Sequence, residues 1–258
     1  MEQFIEILSQ IPDFNKYSSV GMLIFARMLA FMFTAPAFSR KDVPSLIKVS
    51  LAFLMTISFI GLINVPDAPG GSSYGLSLFL NITFGALLGF VANVIFKTIE
   101  AGGEMMNMQM GLQTSVMFDS SAKSQISLMG KFFAFFGVVI YIEIGGLYWL
   151  FNAFERGFEL FPLYSTMIPL DKFVDLNHII FLTGNVLFIG LQLASPVLLT
   201  TLCQDIILGI ISKTAPQINV FQLSFVFKPT VGAIILFLIL PLLVSSITDY
   251  FVYYSNIF

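Results

Sequence analysis

Charged residues are scarce in this 258-residue sequence. They make up 10% of it, against 57% hydrophobic residues, whereas a soluble domain usually carries about 25% charged residues. Too few charges remain to cover a water-facing surface, so much of the surface must face lipid or other proteins. The scarcity excludes an ordinary soluble domain. It predicts one all-α, membrane-type domain built of several membrane-length helices.

The residues that build metal sites and catalytic centres are also rare. The sequence has one cysteine, Cys203, and one histidine, His178, so it cannot form an internal disulfide or a cysteine-based metal cage. It contains no phosphate loop, zinc motif or nucleophile elbow. No basic run indicates nucleic acid binding. We therefore expect no enzymatic activity, no metal, no cofactor and no nucleic acid partner.

Six apolar stretches approach the roughly 20 residues that a membrane-spanning helix needs. They are Val20–Phe38, Val49–Val65, Leu76–Ile99, Ile126–Phe151, Ile179–Ile211 and Val220–Val244. The fifth is too long for one span and contains Pro196, so we expect a kink or a helical hairpin near Ser195. The N-terminus lacks the positive charge of a cleavable signal, because Glu2 and Glu6 precede Lys16. Membrane insertion would therefore rest on the internal stretches.

Several charged residues fall within the apolar stretches or beside them, where each needs a partner or a wet cavity. They are Arg27, Lys97, Glu100, Glu104, Lys131, Glu143, Asp205 and Lys228. Because these residues are scattered and mixed in sign, we favour interhelical pairing or helix ends over an ion or proton pathway. Asp205 and Lys228 lie on two stretches joined by a short link. We expect them to pair within the chain, and contact with another subunit is the alternative.

The segment Gly102–Ser121 has the most unusual local composition. It holds Met105, Met106, Met108, Met110, Met117 and Phe118. Glycines at positions 102, 103 and 111 allow the backbone to bend and neighbours to approach closely. Composition alone leaves two interpretations open. One is a soft apolar constriction, which is either fully closed or closed around a passing polypeptide chain. The other, which composition favours, is a methionine-rich stretch of helix core.

Two blocks in the first half of the sequence carry a recognisable pattern of charged residues, prolines and glycines. The first block, Ala26–Ala52, has an arginine in the first helix, a proline that ends it, a basic link with a second proline, and a basic residue that opens the next helix. These are Arg27, Pro36, Arg40, Lys41, Pro44 and Lys48, and the block resembles the FliR family of flagellar type III export gates and its injectisome counterpart, SctT. The second block, Ala101–Ser121, is similar to the family's small-Gly-Glu, Gln-x-Gly and acidic-turn pattern. Here that pattern is carried by Glu104, Gln109, Gly111 and Asp119, with Ser120 where many members have proline.

Two further blocks extend the resemblance over roughly residues 20 to 245. The third, Ile144–Leu163, is the loosest and is an aromatic-rich helix that ends at Pro162. The fourth, Ala194–Gly232, is the most specific signature. It is carried by Pro196, Gly209, Pro216, Gln217, Asn219, Phe221 and Lys228.

The resemblance implies a non-catalytic subunit of an export gate in the bacterial inner membrane, at the flagellar basal body. Such a subunit would assemble with FliP and FliQ homologues and work with an FlhB-like export switch protein. Unfolded exported proteins would pass through the pore. The family's kinked helical hairpins imply a FliP-like part over about residues 1–175, followed by a FliQ-like part over about residues 176–258.

The family's plug loop, which blocks the closed pore, matches Gly111–Ser121 and changes the interpretation of the methionine-rich segment. The predicted plug comprises Gly111, Leu112, Gln113, Thr114, Ser115, Val116, Met117, Phe118 and Asp119, flanked by Met105, Met106, Met108 and Met110. Apolar side chains exclude water and ions from a narrow pore by dewetting, and a passing polypeptide displaces them without breaking specific bonds. The resemblance therefore favours a closed gate. The polar residues Arg27, Glu104, Asp205 and Lys228 would serve assembly.

Three alternatives accompany this interpretation. The first is the equivalent injectisome subunit, although Glu104 and Gln109–Gly111 look more flagellar. The second is a secondary transporter, which would need inverted repeats with paired broken helices. Only one broken segment is visible, at Pro196. A membrane enzyme is weaker, because the sequence shows no constellation of nucleophile and base.

Overall fold

The computed structural model is all-α over the residues that it describes, which are 14–36, 38, 43–63, 74–113, 127–165 and 176–255. The helices within these ranges are α1 Phe14–Thr34, α2 Ser45–Leu62, α3 Tyr74–Gln109, α4 Leu128–Glu143, α5 Gly146–Leu160, α6 Leu176–Thr214 and α7 Val220–Ser255. Five of these helices are long and apolar enough to cross a membrane, and a sixth span results if the bent pair α4–α5 counts as one. The prediction of an all-α membrane-type protein is confirmed.

Two predicted stretches differ from the helices that form. Ile126–Phe151 is not one helix, because α4 and α5 meet at Gly145 with a bend of 76°. Gly145 has a φ of +78°, a left-handed conformation that glycine adopts at no steric cost. The stretch Leu76–Ile99 in turn continues as α3 to Gln109. Three residues of the methionine-rich flank, Met105, Met106 and Met108, therefore lie in a helix, and Met110 directly follows its end.

Helix α6 runs without interruption through Pro196, so the predicted helical hairpin near Ser195 is wrong. Proline lacks the N–H that would bond to the carbonyl four residues earlier, which here belongs to Gln192. The Ser195 hydroxyl donates to this carbonyl at 2.8 Å and replaces the missing donor. The Ala-Ser-Pro sequence thus supplies both the proline and the group that compensates for it. The alternative of a kink stays a prediction.

The chain divides into two compact units. Unit 1 comprises Met1–Asn93 and Leu150–Ile179, and unit 2 comprises Val94–Trp149 and Ile180–Phe258. The division into FliP-like and FliQ-like parts near residue 175 stays a prediction.

Unit 1 packs α1, α2, the first half of α3 and most of α5 around a phenylalanine-rich core. Phe59 contacts the rings of Phe154 and Phe158, with centroids 5.9 and 5.5 Å apart. Helices α1 and α3 approach closely at a GxxxG pattern, where a Cβ on Gly85 would overlap the Arg27 carbonyl oxygen. Small residues at such contacts bring helix backbones together.

Unit 2 is built around the second half of α3, with α4, α6 and α7 against it. The rings of Phe96 on α3, Tyr141 on α4 and Phe251 on α7 form one cluster, with centroids 5.1 to 5.2 Å apart. Ile99 on α3 and Phe133 on α4 are also fully buried. The second half of α3 therefore contributes to the core of this unit.

Candidate functional site

The last turn of α3 is closed by a defined cap. Gly111 has a φ of +73°, which favours glycine. The Leu112 N–H donates to the Asn107 carbonyl at 3.2 Å, and the Gly111 N–H donates to the Met108 carbonyl at 3.1 Å. These two bonds form a Schellman motif, which satisfies carbonyls that would otherwise end the helix unpaired. The Gln-x-Gly of the second block is therefore a helix stop.

Helix α4 begins beside this cap. The Ser127 side chain accepts a hydrogen bond from the Gly130 N–H at 2.9 Å, which is an N-cap bond. The Asn107 side chain accepts from the Met129 N–H at 3.3 Å and is 1% exposed. The Asn107 backbone carbonyl thus accepts a hydrogen bond in the cap of α3, and its side-chain oxygen accepts one from the first turn of α4. We call Asn107, Gly111 and Ser127 the cap frame, because they hold both ends of the connection between α3 and α4.

Close backbone contacts hold the same end of α3 in place. A Cβ on Gly103 would lie 2.5 Å from the Met129 carbonyl oxygen. A Cβ on Gly102 would lie 3.0 Å from the Gly190 carbonyl oxygen. Helix α4 therefore packs on one side of the glycine pair and α6 on the other, at a distance that excludes a side chain at position 103 and leaves little room for one at position 102.

Glu104 lies on this glycine-rich end of α3. Its side chain is exposed, and its Cγ would lie 2.8 Å from a Cβ on Gly130. Gly130 is in the first turn of α4, where the helix dipole favours negative charge. Glu104 therefore lies beside the start of α4, and its predicted role in assembly stays a prediction.

The flanking methionines divide between core and surface. Met106 and Met110 are buried, whereas Met108 is 60% exposed and Met105 is half-buried. Met110 packs on Gly232 of α7, where an added Cβ would lie 2.7 Å from the methionine Cγ. Two of the four methionines thus fill the core of unit 2. Their predicted role as a gate flank stays a prediction.

Most of the predicted plug lies outside the described residues. Gly111, Leu112 and Gln113 are described, and all three are half-buried. Thr114, Ser115, Val116, Met117, Phe118 and Asp119 lie outside the described part of the chain. The plug is therefore described only where it joins the cap frame.

Arg27 is fully buried in unit 1. Its Nε and Nη2 atoms donate to Asn81 Oδ1 at 2.9 and 2.6 Å. Its Nη1 donates to the Gly157 carbonyl at 3.2 Å, and Nη2 also donates to the Phe161 carbonyl at 2.8 Å. These carbonyls lie at the C-terminal end of α5, where the helix dipole favours a cation. Arg27 therefore ties α1 to both α3 and α5.

Neutral groups complete the surroundings of the guanidinium. Its Cζ atom lies 4.7 and 4.4 Å from the ring centroids of Phe84 and Phe158, which is cation–π distance. The Asn81 amide donates to the carbonyls of Ser77 and Leu163 at 2.7 and 2.9 Å. Those bonds turn its oxygen towards the arginine. In the described part of unit 1, Arg27 is thus held by carbonyl oxygens and aromatic rings.

Asp205 on α6 and Lys228 on α7 form an ion pair, with Nζ 2.6 Å from Oδ1. The lysine side chain is 20% exposed and the aspartate side chain 42%. The predicted pairing within the chain is confirmed. A second pair joins Lys97 and Glu100 one turn apart on α3, at 2.6 Å.

The most specific sequence block builds the turn between α6 and α7. The Ile218 N–H donates to the Ala215 carbonyl at 3.0 Å, which closes a β-turn. Pro216 and Gln217 occupy its two central positions, and the fixed φ of proline suits the first of these. The Ala-Pro-Gln sequence therefore folds α7 back along α6.

The next signature residues begin α7. Asn219 is its N-cap, since the Asn219 side-chain oxygen accepts from the Gln222 N–H at 3.3 Å. Phe221 is 71% exposed and contacts the Phe225 ring, with centroids 4.6 Å apart. Asn219 thus has a local structural role, whereas Phe221 presents an aromatic surface.

The first-half signature prolines lie at helix boundaries. Pro36 follows the end of α1 by two residues, and Pro44 directly precedes α2. Proline is tolerated at both places because no intrahelical hydrogen bond needs its nitrogen there. Within the described ranges, no three histidine, cysteine, aspartate or glutamate side chains are grouped as a metal site would need.

Helices of membrane-spanning length, joined by capped turns and glycine contacts, define a helical membrane protein in which Arg27, Asn81 and Asn107 join helices. The chain belongs to the bacterial export proteins, family 1, whose sequence model matches residues 19–253.

Individual relatives match most of the chain. It is 29% identical over 221 residues to the flagellar biosynthetic protein FliR of Buchnera aphidicola, and the match covers 85% of each chain. It is 27% identical over 240 residues to FliR of Aquifex aeolicus, covering 92% of this chain and 91% of the relative. It is 26% identical over 244 residues to the surface presentation of antigens protein SpaR of Shigella flexneri, covering 91% and 92%.

Two residues of these sites carry no distinctive signal in the sequence. Asn81 and Asn107 are isolated asparagines within a helical stretch, and each gains its role from a partner on another helix. Ser127 precedes an apolar helix, which is an N-cap signal. That signal alone points to the start of α4.

Proposed function

We propose that this chain is the FliR-type subunit of a flagellar type III protein-export gate and that it catalyses no reaction. Membership of the export family and FliR relatives matching 85% or more of the chain support the proposal. In this proposal the chain lies in the bacterial inner membrane, at the flagellar basal body. It assembles there with FliP and FliQ homologues and an FlhB-like export switch protein. Unfolded flagellar proteins pass through the assembled pore.

The mechanism that we propose is displacement of an apolar plug. The cap frame is the observation that carries it: hydrogen bonds at Asn107, Gly111 and Ser127 hold both ends of the connecting segment. A segment anchored at both ends can move its middle without moving α3 or α4. The apolar residues Val116, Met117 and Phe118 of this segment would exclude water from the closed pore. Energy for opening would come from the partner proteins.

The test replaces the apolar residues of the plug and keeps the length of the segment. A variant with Val116, Met117 and Phe118 all changed to serine should leak small ions through the assembled complex. The apolar side chains keep the closed pore dry, whereas serine lets water and ions enter it. Ion conductance is measured with the complex reconstituted in planar bilayers.

The matched control changes Ile168, Leu170 and Phe173 to serine in the connection between α5 and α6. It carries the same number of apolar-to-serine changes and should conduct as little as the unaltered complex. Equal conductance of the plug variant and this control, in complexes of the same composition, would sink the plug assignment.

The injectisome subunit remains a second candidate, because the match to SpaR covers as much of the chain as the FliR matches do. Expression in a flagellated bacterium that lacks its own FliR discriminates the two. Restored swimming supports the flagellar proposal. Failure to swim, together with restored secretion in a strain lacking SpaR, would favour the injectisome.

A further inference from the structure

An open cleft of about 420 Å³ lies between α6 and α7 in unit 2. Small-molecule sites are typically clefts of about 300–1,000 Å³ with mostly apolar walls and a few polar groups. Here the walls are mainly apolar, and the polar groups include Asn185, Gln192 and Ser246. The proposed gate uses none of these residues. We call this space the α6–α7 cleft.

The cleft is polar at one end and apolar at the other. Helices α6 and α7 run antiparallel, because a five-residue turn joins them and Asp205 pairs with Lys228 beyond it. Asn185 therefore lies at the same end as Tyr253 and Tyr254, and the opposite end has leucine and proline walls with Gln192 as its polar side chain. The polar end coincides with the last turn of α7, and tyrosines are enriched where a membrane span meets water.

The lining contains no charged side chain, although both helices are candidate membrane spans. A ligand recognised through an ionic headgroup would need a charged partner, so the polar end suits uncharged groups. Amides and phenol hydroxyls can donate hydrogen bonds to ester carbonyls.

We propose that the α6–α7 cleft binds one membrane phospholipid. Its acyl chain fills the apolar end, and its glycerol–ester region accepts hydrogen bonds from the Asn185 amide and the hydroxyls of Tyr253 and Tyr254. The charged headgroup lies beyond the cleft, at the membrane surface. The proposal does not depend on the gate assignment.

A helix of a partner subunit is the competing occupant, and the polarity of the cleft disfavours it. An apolar helix packed here would cover the Asn185 amide and the hydroxyls of Tyr253 and Tyr254 and would offer them no hydrogen bond. Each buried polar group without a hydrogen bond costs about 1–3 kcal/mol. A lipid ester removes that cost, and its flexible chain adapts to a cleft with exposed walls such as Phe188.

The test places a fluorescent reporter in the cleft. The chain has one tryptophan, Trp149, so the double substitution Trp149→Phe and Phe188→Trp leaves a single tryptophan on the cleft wall. Phosphatidylcholine with brominated acyl chains, which quench tryptophan, is titrated into the full-length protein in detergent micelles. Quenching should saturate at one lipid per chain.

Two variants and a control then locate the binding. Ser246→Phe fills the cleft and should weaken binding about tenfold, equivalent to about 1.4 kcal/mol. Asn185→Leu removes a polar contact and should weaken binding less. Ser245→Phe is the matched control, because Ser245 is the exposed neighbour on α7 that does not line the cleft. It should bind lipid like the reporter protein.

Quenching that rises without saturation, equally in both phenylalanine variants, would show only general contact with lipid and would overturn the proposal. The same titration with the co-purified complex tests the competing occupant. If Ser246→Phe releases a partner subunit while lipid binding stays unchanged, the cleft belongs to that partner and the lipid proposal is wrong.

Discussion

The two compact units place charge in different surroundings. Unit 1 buries the whole side chain of Arg27 among carbonyl oxygens, one amide oxygen and aromatic rings. In unit 2 the described pair of Asp205 and Lys228 stays partly exposed at the surface of two apolar helices. A buried charge that is fully hydrogen-bonded fixes the helices that hold it. A partly exposed pair holds its helices weakly, and its exposed atoms remain in contact with the surroundings.

The two units also differ in how their interiors are packed. Both interiors contain aromatic rings and close glycine contacts, but unit 1 adds the buried network of Arg27, whereas unit 2 adds methionine side chains packed beside its glycine contacts. Glycine contacts tolerate no added atom, while methionine adapts to irregular space. The free energy of unfolding should therefore respond most to the polar network in unit 1, less to the glycine contacts in unit 2, and least to the surface pair.

The largest effect is expected from Arg27→Met. It leaves Asn81 Oδ1 and the carbonyls of Gly157 and Phe161 without the donors that they have now. We expect the free energy of unfolding to fall by about 3–5 kcal/mol, measured by denaturant unfolding in mild detergent. Arg27→Lys keeps the charge but loses the forked geometry, so its free energy of unfolding should lie between those of Arg27→Met and the unaltered protein.

Lys131→Met serves as the control for loss of a cation, since Lys131 is exposed on α4. Its effect should stay within about 0.5 kcal/mol. If Arg27→Met were no more destabilising than this control, the network would not stabilise the isolated chain. A role in assembly alone would then be the better account of Arg27.

An intermediate effect is expected from Gly103→Ala. The added Cβ would meet the Met129 carbonyl, which is backbone and cannot rotate away. We expect a loss of about 1–3 kcal/mol, measured in the same way. The control is Gly209→Ala on α6, where no atom lies within reach of the new Cβ. Alanine favours the helix there by up to about 1 kcal/mol, so this variant should be as stable or slightly more stable.

If Gly103→Ala and Gly209→Ala behaved alike, the close contact between α3 and α4 would tolerate an added methyl group. The contrast drawn between the two interiors would then fail for unit 2, although the contribution of Arg27 to unit 1 would be unaffected.

The helices were predictable from the sequence because each contains a long apolar run, but their ends were not. The apolar run continues through Gly145, so hydropathy alone does not show the break there; only the adjacent glycine pair signals it. At the end of α3 the reverse holds, because the apolar run ends at Ile99 whereas the helix continues to Gln109. Glu104 and Asn107 lie beyond the apolar run but within the helix, because α4 offers Asn107 a backbone donor.

The contacts between distant residues were predictable only where chain connectivity restricts the choice. Asp205 and Lys228 lie at similar distances from one short turn, which makes them neighbours once the helices fold back. Arg27 and Asn81 are 54 residues apart on helices that are not consecutive, and no spacing rule links them. Family resemblance identified Arg27 and Gly111 as signature positions. The structure adds the physical reason for each, a carbonyl network and a left-handed helix cap.

The smallest effect is expected from the ion pair. In a double-mutant cycle of Asp205→Asn and Lys228→Gln, the coupling energy should be below about 1 kcal/mol, because exposed pairs are screened and lose side-chain entropy. Lys97 and Glu100 provide the matched cycle on one helix, with side chains 58% and 25% exposed and an expected coupling of about 0.2–0.5 kcal/mol. Unfolding in mild detergent at low and high salt measures both, and salt should reduce both couplings.

A coupling above about 2 kcal/mol that salt does not reduce would contradict the contrast between the units. It would mean that the pair is shielded from water, since opposite charges attract far more strongly at low dielectric constant. Repeating the cycle in the assembled complex identifies the cause of such shielding. Coupling that grows only on assembly would place a partner subunit over Asp205, whereas equal coupling in both states would place detergent or lipid there.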